Sequence, residues 1–421
     1  MRPPHLLLCL TLAPLLALAA EPETHWWKGN LHTHSHWSDG NDYPEMITDW
    51  YKNHGYHFLA LSDHNVLPDY ERWISIAKSK GGELAFTKYL ARFGDKWVEQ
   101  RDTAGDREVR LKMLSEFRGQ FEKTDRFLMV ASEEITGRYL TAPIHINATN
   151  LREKIEPQTG SNVVDVMQKT VNAVNEQRQL TGVPMFSHIN HPNFGWGITA
   201  EELMQLDGER FFEVYNGHPS VHNEGDDKHA STDRVWDIIL TERLAELGKP
   251  VIFGLGTDDS HQYHNEPNKL SHPGRGWVMV RAPHLTVENL ITAMEAGDFY
   301  ASSGVVLKDV RREGRQLAIE IEPEPGVTFT TEFIGTRKGY DRTNTQVLGE
   351  SGETLRVTRR YSKDIGAVLA TVEGTSASYT LKGDEIYVRA RITSSKQKAD
   401  PASAAGEFER AWTQPLVPAG K

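Results

Sequence analysis

Two histidines one residue apart, His32 and His34, open a polar stretch that runs through His36 to Asp39-Gly40. Side chains two apart on a strand end point the same way, so one metal ion can take both imidazoles. Asp39 lies in a following turn and can return a carboxylate to the same pocket. Alone, this is also how a histidine-rich surface loop reads. The pattern recurs, however. Asp63-His64 follow the apolar run 58–61, and Glu133-Glu134 follow 127–131. His145 stands further on, His188 and His191-Pro192 follow 183–186, and Asp258-Asp259-Ser260-His261 follow 251–255. Any one of these has a structural alternative, such as a satisfied buried Asp–His pair. Several strand ends, each delivering histidine or carboxylate, point instead to one convergent site for more than one metal ion.

The elements that must position these groups are legible as short buried runs, at 58–61, 127–131, 183–186, 211–215 and 251–255. Each has four or five mostly apolar residues bounded by Gly, Pro, Asp or His. Helical patterns at 43–54, 163–180, 232–247 and 286–296 alternate with them. That alternation predicts a parallel α/β architecture with its chemistry at the C-terminal strand ends. Residues 70–123, rich in Lys, Arg, Glu and aromatics and without a strand pattern, read as a helical insertion over one face. From residue 305 the period changes to two, in runs at 305–321, 327–334, 354–358, 367–372 and 385–393. These predict a small antiparallel β domain over 306–394. The polar tail 395–421, with Trp412 as its one anchor, reads as loosely held.

The chain has 421 residues and a formal net charge of −11, which argues against nucleic acid or an anionic membrane surface as a partner. Arg2, an apolar run over 6–18 and the small residues Ala17-Leu18-Ala19-Ala20 form the pattern of a secretory signal peptide, residues 1–20. The expectation is export to the periplasm or beyond, with no membrane anchor after cleavage. The single cysteine, Cys9, lies inside that segment, so the mature chain from 21 has no thiolate. Any metal must be held by nitrogen and oxygen.

The order of HTHSHWSDG, LSDHN, EEIT, NHP and DDSH resembles the motif series of the PHP (polymerase and histidinol phosphatase) superfamily, over residues 26–304. The opening WWKGNLHTHSHWSDG, FEVYNGHP and GDFYASSG resemble its secreted, carbaryl-hydrolase-like branch. The resemblance implies a distorted (β/α)7 barrel over 21–305 and two or three divalent ions, as Zn, Mn or Fe. It places His32, His34, Glu134 and Asp259 around one ion. Glu134 would bridge to a second ion held by His145 and His191, and Asp39, His64 and His261 would hold a third. Within the motifs it favours Glu134 over Glu133, His191 over His188, Asp259 over Asp258 and Asp39 over His36.

Such a site would use a metal-activated water, with Glu134 and Asp259 central to catalysis, on a small, phosphorylated substrate. Ester, carbamate or amide hydrolysis is the alternative chemistry, and a non-catalytic metal-binding module the alternative class. Candidate substrate contacts are Arg138, also a candidate catalytic cation, with Asn193, Asn216 and His218. Ser303 joins them, because it ends what reads as the last strand of the barrel. Arg138 has a structural alternative as a surface ion pair, and Asn216, His218 and Ser303 as turn residues.

Overall fold

The structure is a computed structural model that describes residues 23–264, 270–402 and 406–418. The expected signal segment and the last three residues lie outside the described residues. Among the described residues, no helix is long and apolar enough to cross a membrane.

The chain opens with β1 (His25–Asn30), α1 (Pro44–Asn53) and β2 (Phe58–Leu61). The insertion follows, as β3 (Arg72–Ser75), α2 (Gly82–Phe93), β4 (Gln100–Thr103), β5 (Asp106–Leu111) and α3 (Leu114–Phe121). Next come β6 (Leu128–Tyr139), β7 (Ala142–Thr149), α4 (Val163–Thr181), β8 (Phe186–Ile189), α5 (Ala200–Leu203), β9 (Phe211–Asn216), α6 (Thr232–Ala245) and β10 (Phe253–Thr257). The expected helices form nearly where the pattern puts them: α1 begins with Pro44 in its first turn, and the other three are capped by side chains. Asn162, Ser231 and Thr286 each accept a backbone N–H in the first turn of α4, α6 and α7 (Val287–Glu295), and Gly182 ends α4 at φ +66°.

Strands β1, β2, β6, β7, β8, β9 and β10 are consecutive neighbours in one sheet. All these pairs are parallel except β6–β7 and β7–β8, so β7 breaks the expected all-parallel pattern. The two ends of this run meet just past the strand ends. Asp259 N–H donates to the His32 carbonyl and His34 N–H to the Ser260 carbonyl, both at 3.0 Å. The ring therefore closes at its C-terminal mouth. Below the mouth, β1 pairs instead with β11 (Trp277–Ala282), antiparallel.

Through β11 and β12 (Phe299–Ser302) the same sheet runs on into the C-terminal half. That half contains β13 (Leu307–Glu313), β14 (Gln316–Ile321), β15 (Phe329–Arg337), β16 (Asn344–Thr345), β17 (Arg360–Tyr361), β18 (Ala367–Glu373), β19 (Ser376–Thr380), β20 (Glu385–Gln397) and β21 (Phe408–Thr413). The large sheet continues β12-β21-β20-β15-β18, and the three-stranded sheet β13-β14-β19 shares its apolar core, which includes Leu317, Ile319, Phe333 and Ile392.

Three expectations need correction. Residues 70–123 are not all helical: β3, β5 and β4 form an antiparallel sheet. Its signal was weak because its strands are largely exposed, and only Val109 and Leu111 of β5 carry a buried alternation. Residues 354–358 form no strand but a connection that packs on α5, with Thr358 accepting from Ala200 N–H. The tail is not loosely held throughout, because β21 is an interior strand between β12 and β20. Trp412 is buried there, with its indole N–H on Asp233.

Charge joins the two halves as well as strand pairing. Arg389 of β20 is fully buried and donates to both carboxylate oxygens of Asp237, at 2.8 and 2.7 Å, with Asp233 2.9 Å away. Replacing Arg389 with Met removes the cation from buried Asp237, while Asp233 keeps Arg391 at 2.9 Å. The expected loss is about 3–5 kcal/mol of unfolding free energy, read by chemical denaturation.

Candidate metal centre

His32 and His34 lie just past β1, on the segment that bonds to residues 258–260. Their Nε2 atoms converge on one space. His32 Nε2 is 3.4 Å from Glu134 Oε2 and 3.3 Å from Asp259 Oδ1, and His34 Nε2 is 3.3 and 3.1 Å from the same two atoms. Asp259 adopts φ +49°, a conformation costly for an aspartate. It aims the carboxylate at the histidines, while its own N–H bonds to the His32 carbonyl.

The other oxygen of Glu134 faces a second space. His145 Nδ1 is 3.0 Å from Glu134 Oε1 and His191 Nε2 is 3.6 Å from it. A third group gathers around Asp39 Oδ1, with His261 Nε2 at 3.2 Å, His64 Nε2 at 3.5 Å and His34 Nδ1 at 3.8 Å. These three sets are geometrically able to hold metal ions. Gly40 is what lets the Asp39 turn fold back so tightly, since a Cβ there would lie 2.4 Å from the His34 carbonyl oxygen.

A layer of buried polar residues fixes this arrangement, and sequence reasoning missed its main member. Glu213 of β9 accepts from His32 Nδ1 at 2.7 Å, from His191 N–H, from Asn216 and from Thr257, each at 2.8 Å. A carboxylate on the far nitrogen of a ligating histidine fixes its tautomer and aim. The available signal was a lone Glu inside the all-buried run FFEVYN. Asn190 holds Glu134 Oε1 at 2.8 Å. Asp63 takes Ser35 and Ser38, and Asp258 takes Tyr51 and the N–H groups of Gly274, Arg275 and Gly276.

The residues present fit a cation. His32 Nε2, His34 Nε2, His145 Nδ1 and Glu134 Oε2 are buried and have no hydrogen-bond partner. Such atoms are costly unless something binds them. Burial pushes the His34 imidazole down to about 3, helped by His261 and His64, so it is a neutral ligand at any ordinary pH. Burial opposes protonation of His64 too, but Glu134 and Asp39 outweigh it and hold that ring up at about 9. Glu134 is itself held well below the usual carboxylate range: burial would raise it, and His64, His32 and His145 reverse the sign.

The remaining candidates separate by geometry. His188 lies 3.5 Å from Glu213, and His36 bonds the Gly40 carbonyl, so neither joins the three spaces. His218 sits beside the site, its ring 5.4 Å from that of His261, with Nδ1 accepting from Ser220 N–H. Asn216 lies in the polar layer around the site. Its amide donates to Glu213 and to Asp259 Oδ2, which makes it a positioning residue. The Asn193 amide is spent on the His222 and Ala230 carbonyls. Ser303 closes a turn instead of facing the mouth: its Oγ accepts from Arg410 N–H of β21. Arg138 is exposed on a cavity of about 680 Å³ that opens off His145.

A comparison with protein-family models finds no match, and one with curated proteins finds none either. Two solved structures are similar. One is a two-domain protein from Bacteroides vulgatus containing a predicted PHP-like metal-dependent phosphoesterase. It has 15% identity and a TM-score of 0.40, over 91% of this chain and 95% of that one. The other, from Bifidobacterium adolescentis, is a protein proposed to be a metal-dependent phosphoesterase. It has 12% identity and a TM-score of 0.28, over 58% of this chain and 92% of that one. Similarity at this level does not transfer a function.

Two outcomes are expected of the centre. Metal uptake by the metal-free protein at pH 7 should release protons, because His64, held near 9, must lose one to ligate. Affinity should rise with pH from 6 to 9, read by titration calorimetry in buffers of different ionisation enthalpy. Glu213→Gln should weaken metal affinity about 10- to 100-fold while leaving the fold intact.

Proposed function

We propose that the chain is an exported, metal-dependent hydrolase of the PHP superfamily acting on phosphate esters. The observation that carries this reading is Glu134, buried and facing two spaces into which His32, His34 and His145 turn imidazole nitrogens without a hydrogen-bond partner. The assignment of one ion each to the sets around Asp259, His191 and Asp39 is part of the proposal. Divalent ions held there supply Lewis acidity and a water acidified toward neutral pH.

The chain's own groups set up the rest. Glu213 and Asn190 keep His32 and Glu134 in place, so little has to reorganise when charge develops on an attacked group. His218 has its Nδ1 used as an acceptor, and burial lowers this ring to about 4. At neutral pH its proton is therefore on Nε2, where it can donate to a substrate oxygen at the mouth.

The test is a purified protein stripped by chelator and reloaded with Mn or Zn, assayed on an aryl phosphate, an aryl phosphodiester and an aryl carbamate. Turnover of a phosphate ester, lost with chelator and restored by metal, is expected. Glu134→Gln should abolish it and lower the metal content. Turnover of the carbamate alone would replace the phosphoesterase reading with the ester or carbamate one. No turnover of any of the three, in protein that is metal-loaded, would favour a binding module.

A further inference from the structure

Strands β6 and β7 continue well past the metal centre as a two-stranded hairpin. The pairings Glu134↔Asn147, Thr136↔His145 and Arg138↔Pro143 fix its register. Because strand side chains alternate, Glu134, Thr136 and Arg138 share one face of β6. Thr136 marks that face as the one turned to the site, since its hydroxyl meets His64 Nδ1 at 2.6 Å. Arg138 is the next residue out on the same face. Its Cα stands about 7 Å beyond Thr136 and about 14 Å beyond Glu134, at ~3.4 Å per residue.

Three further observations bear on this hairpin. The cavity that opens off His145 is lined by Thr136, Arg138, Leu140, Pro143 and Gly195. Its walls are mixed, with Leu140 and Pro143 apolar, Thr136, Thr141 and His145 polar, and Arg138 carrying a full charge. Among the described residues, the Arg138 guanidinium has no hydrogen bond or ion pair. The nearby Arg356 is different: it is engaged by Glu202 at 2.7 Å and by the Gly197 carbonyl. Finally, Leu140 at the hairpin tip is 78% exposed and has φ +53°, an unfavourable conformation for a large apolar residue with nothing to pack on. A strained apolar tip and an unpaired cation, both on one cavity that begins at a candidate metal ligand, are what a substrate subsite presents before its ligand arrives.

We infer that this hairpin cavity is the subsite for the organic group of the substrate, and that the substrate is a two-headed anion. One anionic head is the phosphate ester at the metal centre. The other is a carboxylate or second phosphate paired with Arg138, separated from the first by an apolar spacer against Leu140 and Pro143. This inference rests on the phosphoesterase reading above.

The experiment compares phenyl phosphate, 4-carboxyphenyl phosphate and its methyl ester with the metal-loaded full chain and with Arg138→Gln. The carboxylate substrate should show a KM about tenfold or more below that of the other two. Arg138→Gln should erase that advantage, bringing the KM of the carboxylate substrate up to those of the other two. Titration calorimetry with 4-carboxyphenylphosphonate, which is not turned over, should show the same loss of affinity. A Leu140→Gly variant should relax the strained turn yet weaken binding of all three aryl substrates. Equal KM values for the three in the wild type, or an Arg138→Gln enzyme that keeps the preference, would overturn the subsite while leaving the hydrolase intact. No turnover of any phosphate, together with no binding of the phosphonate, would instead remove the phosphoesterase reading beneath it.

Discussion

Glu134 is a fully buried carboxylate approached by five imidazoles. Its Oε2 lies 3.4 Å from His32, 3.3 Å from His34 and 2.8 Å from His64, and its Oε1 lies 3.0 Å from His145 and 3.6 Å from His191. Burying a charge in this way is prohibitive unless compensating charge is brought to it from every side. That requirement explains much of the architecture. The compensating imidazoles come from just past β1, β2 and β8 and from within β7, and the curl that brings β10 to β1 sets Asp259 against His32 and His34 on the same space. The backbone bonds among residues 32–34 and 259–260 that close the mouth are thus the same bonds that set the positions of the candidate ligands.

Curling alone does not hold ring orientations. The second layer does, and it is unusually carboxylate-rich. Glu213 fixes His32 and the His191 backbone together, so one residue couples two of the three spaces. Asp63 orders the turn that carries Asp39, and Asp258 gathers three successive backbone N–H groups at 274–276 under the mouth. The insertion takes part as well. Lys80 reaches Asp39 Oδ2 at 3.1 Å, and Trp37, Tyr43, Phe86 and Tyr89 share one core. The segment with the weakest sequence signal is therefore anchored directly beside the third group.

Much of this centre could be read from the sequence because its ligands follow buried apolar runs. Residue type, spacing and strand period pointed to His32 and His34, whereas the choice of Glu134 over Glu133 and of Asp259 over Asp258 came from the family resemblance. Glu213 was missed for the same physical reason that makes it important. It sits inside a buried strand, not after one, and spacing rules look for ligands at strand ends. Ser303 and Asn216 show what such a pattern cannot carry. They stand at strand ends and have suitable side chains, but their hydrogen bonds are spent on Arg410 and on Glu213 and Asp259. Satisfaction of a polar group is a tertiary fact, and no one-dimensional pattern carries it. The half-buried strand β3 and the exposed strand β4 escaped because each is uniform in burial along its length and shows no alternation.

The C-terminal half illustrates how a domain boundary in sequence need not be a seam in structure. The change of period near residue 305 is real, since strands beyond it are antiparallel and read as period two. Yet β12, from before that point, has β21, from the chain's last residues, as its neighbour. An interior strand cannot be removed without exposing two rows of backbone donors and acceptors and the apolar faces beside them. The connection carrying Arg356 extends this dependence to the mouth. It bonds the Gly197 carbonyl and Glu202, beyond a loop whose Phe194 ring stands 5.7 Å from that of His145 and 5.1 Å from that of His191. The β half therefore braces one wall of the cleft. Its contribution to the site is mechanical: it holds in place the loop against which His145 and His191 are packed.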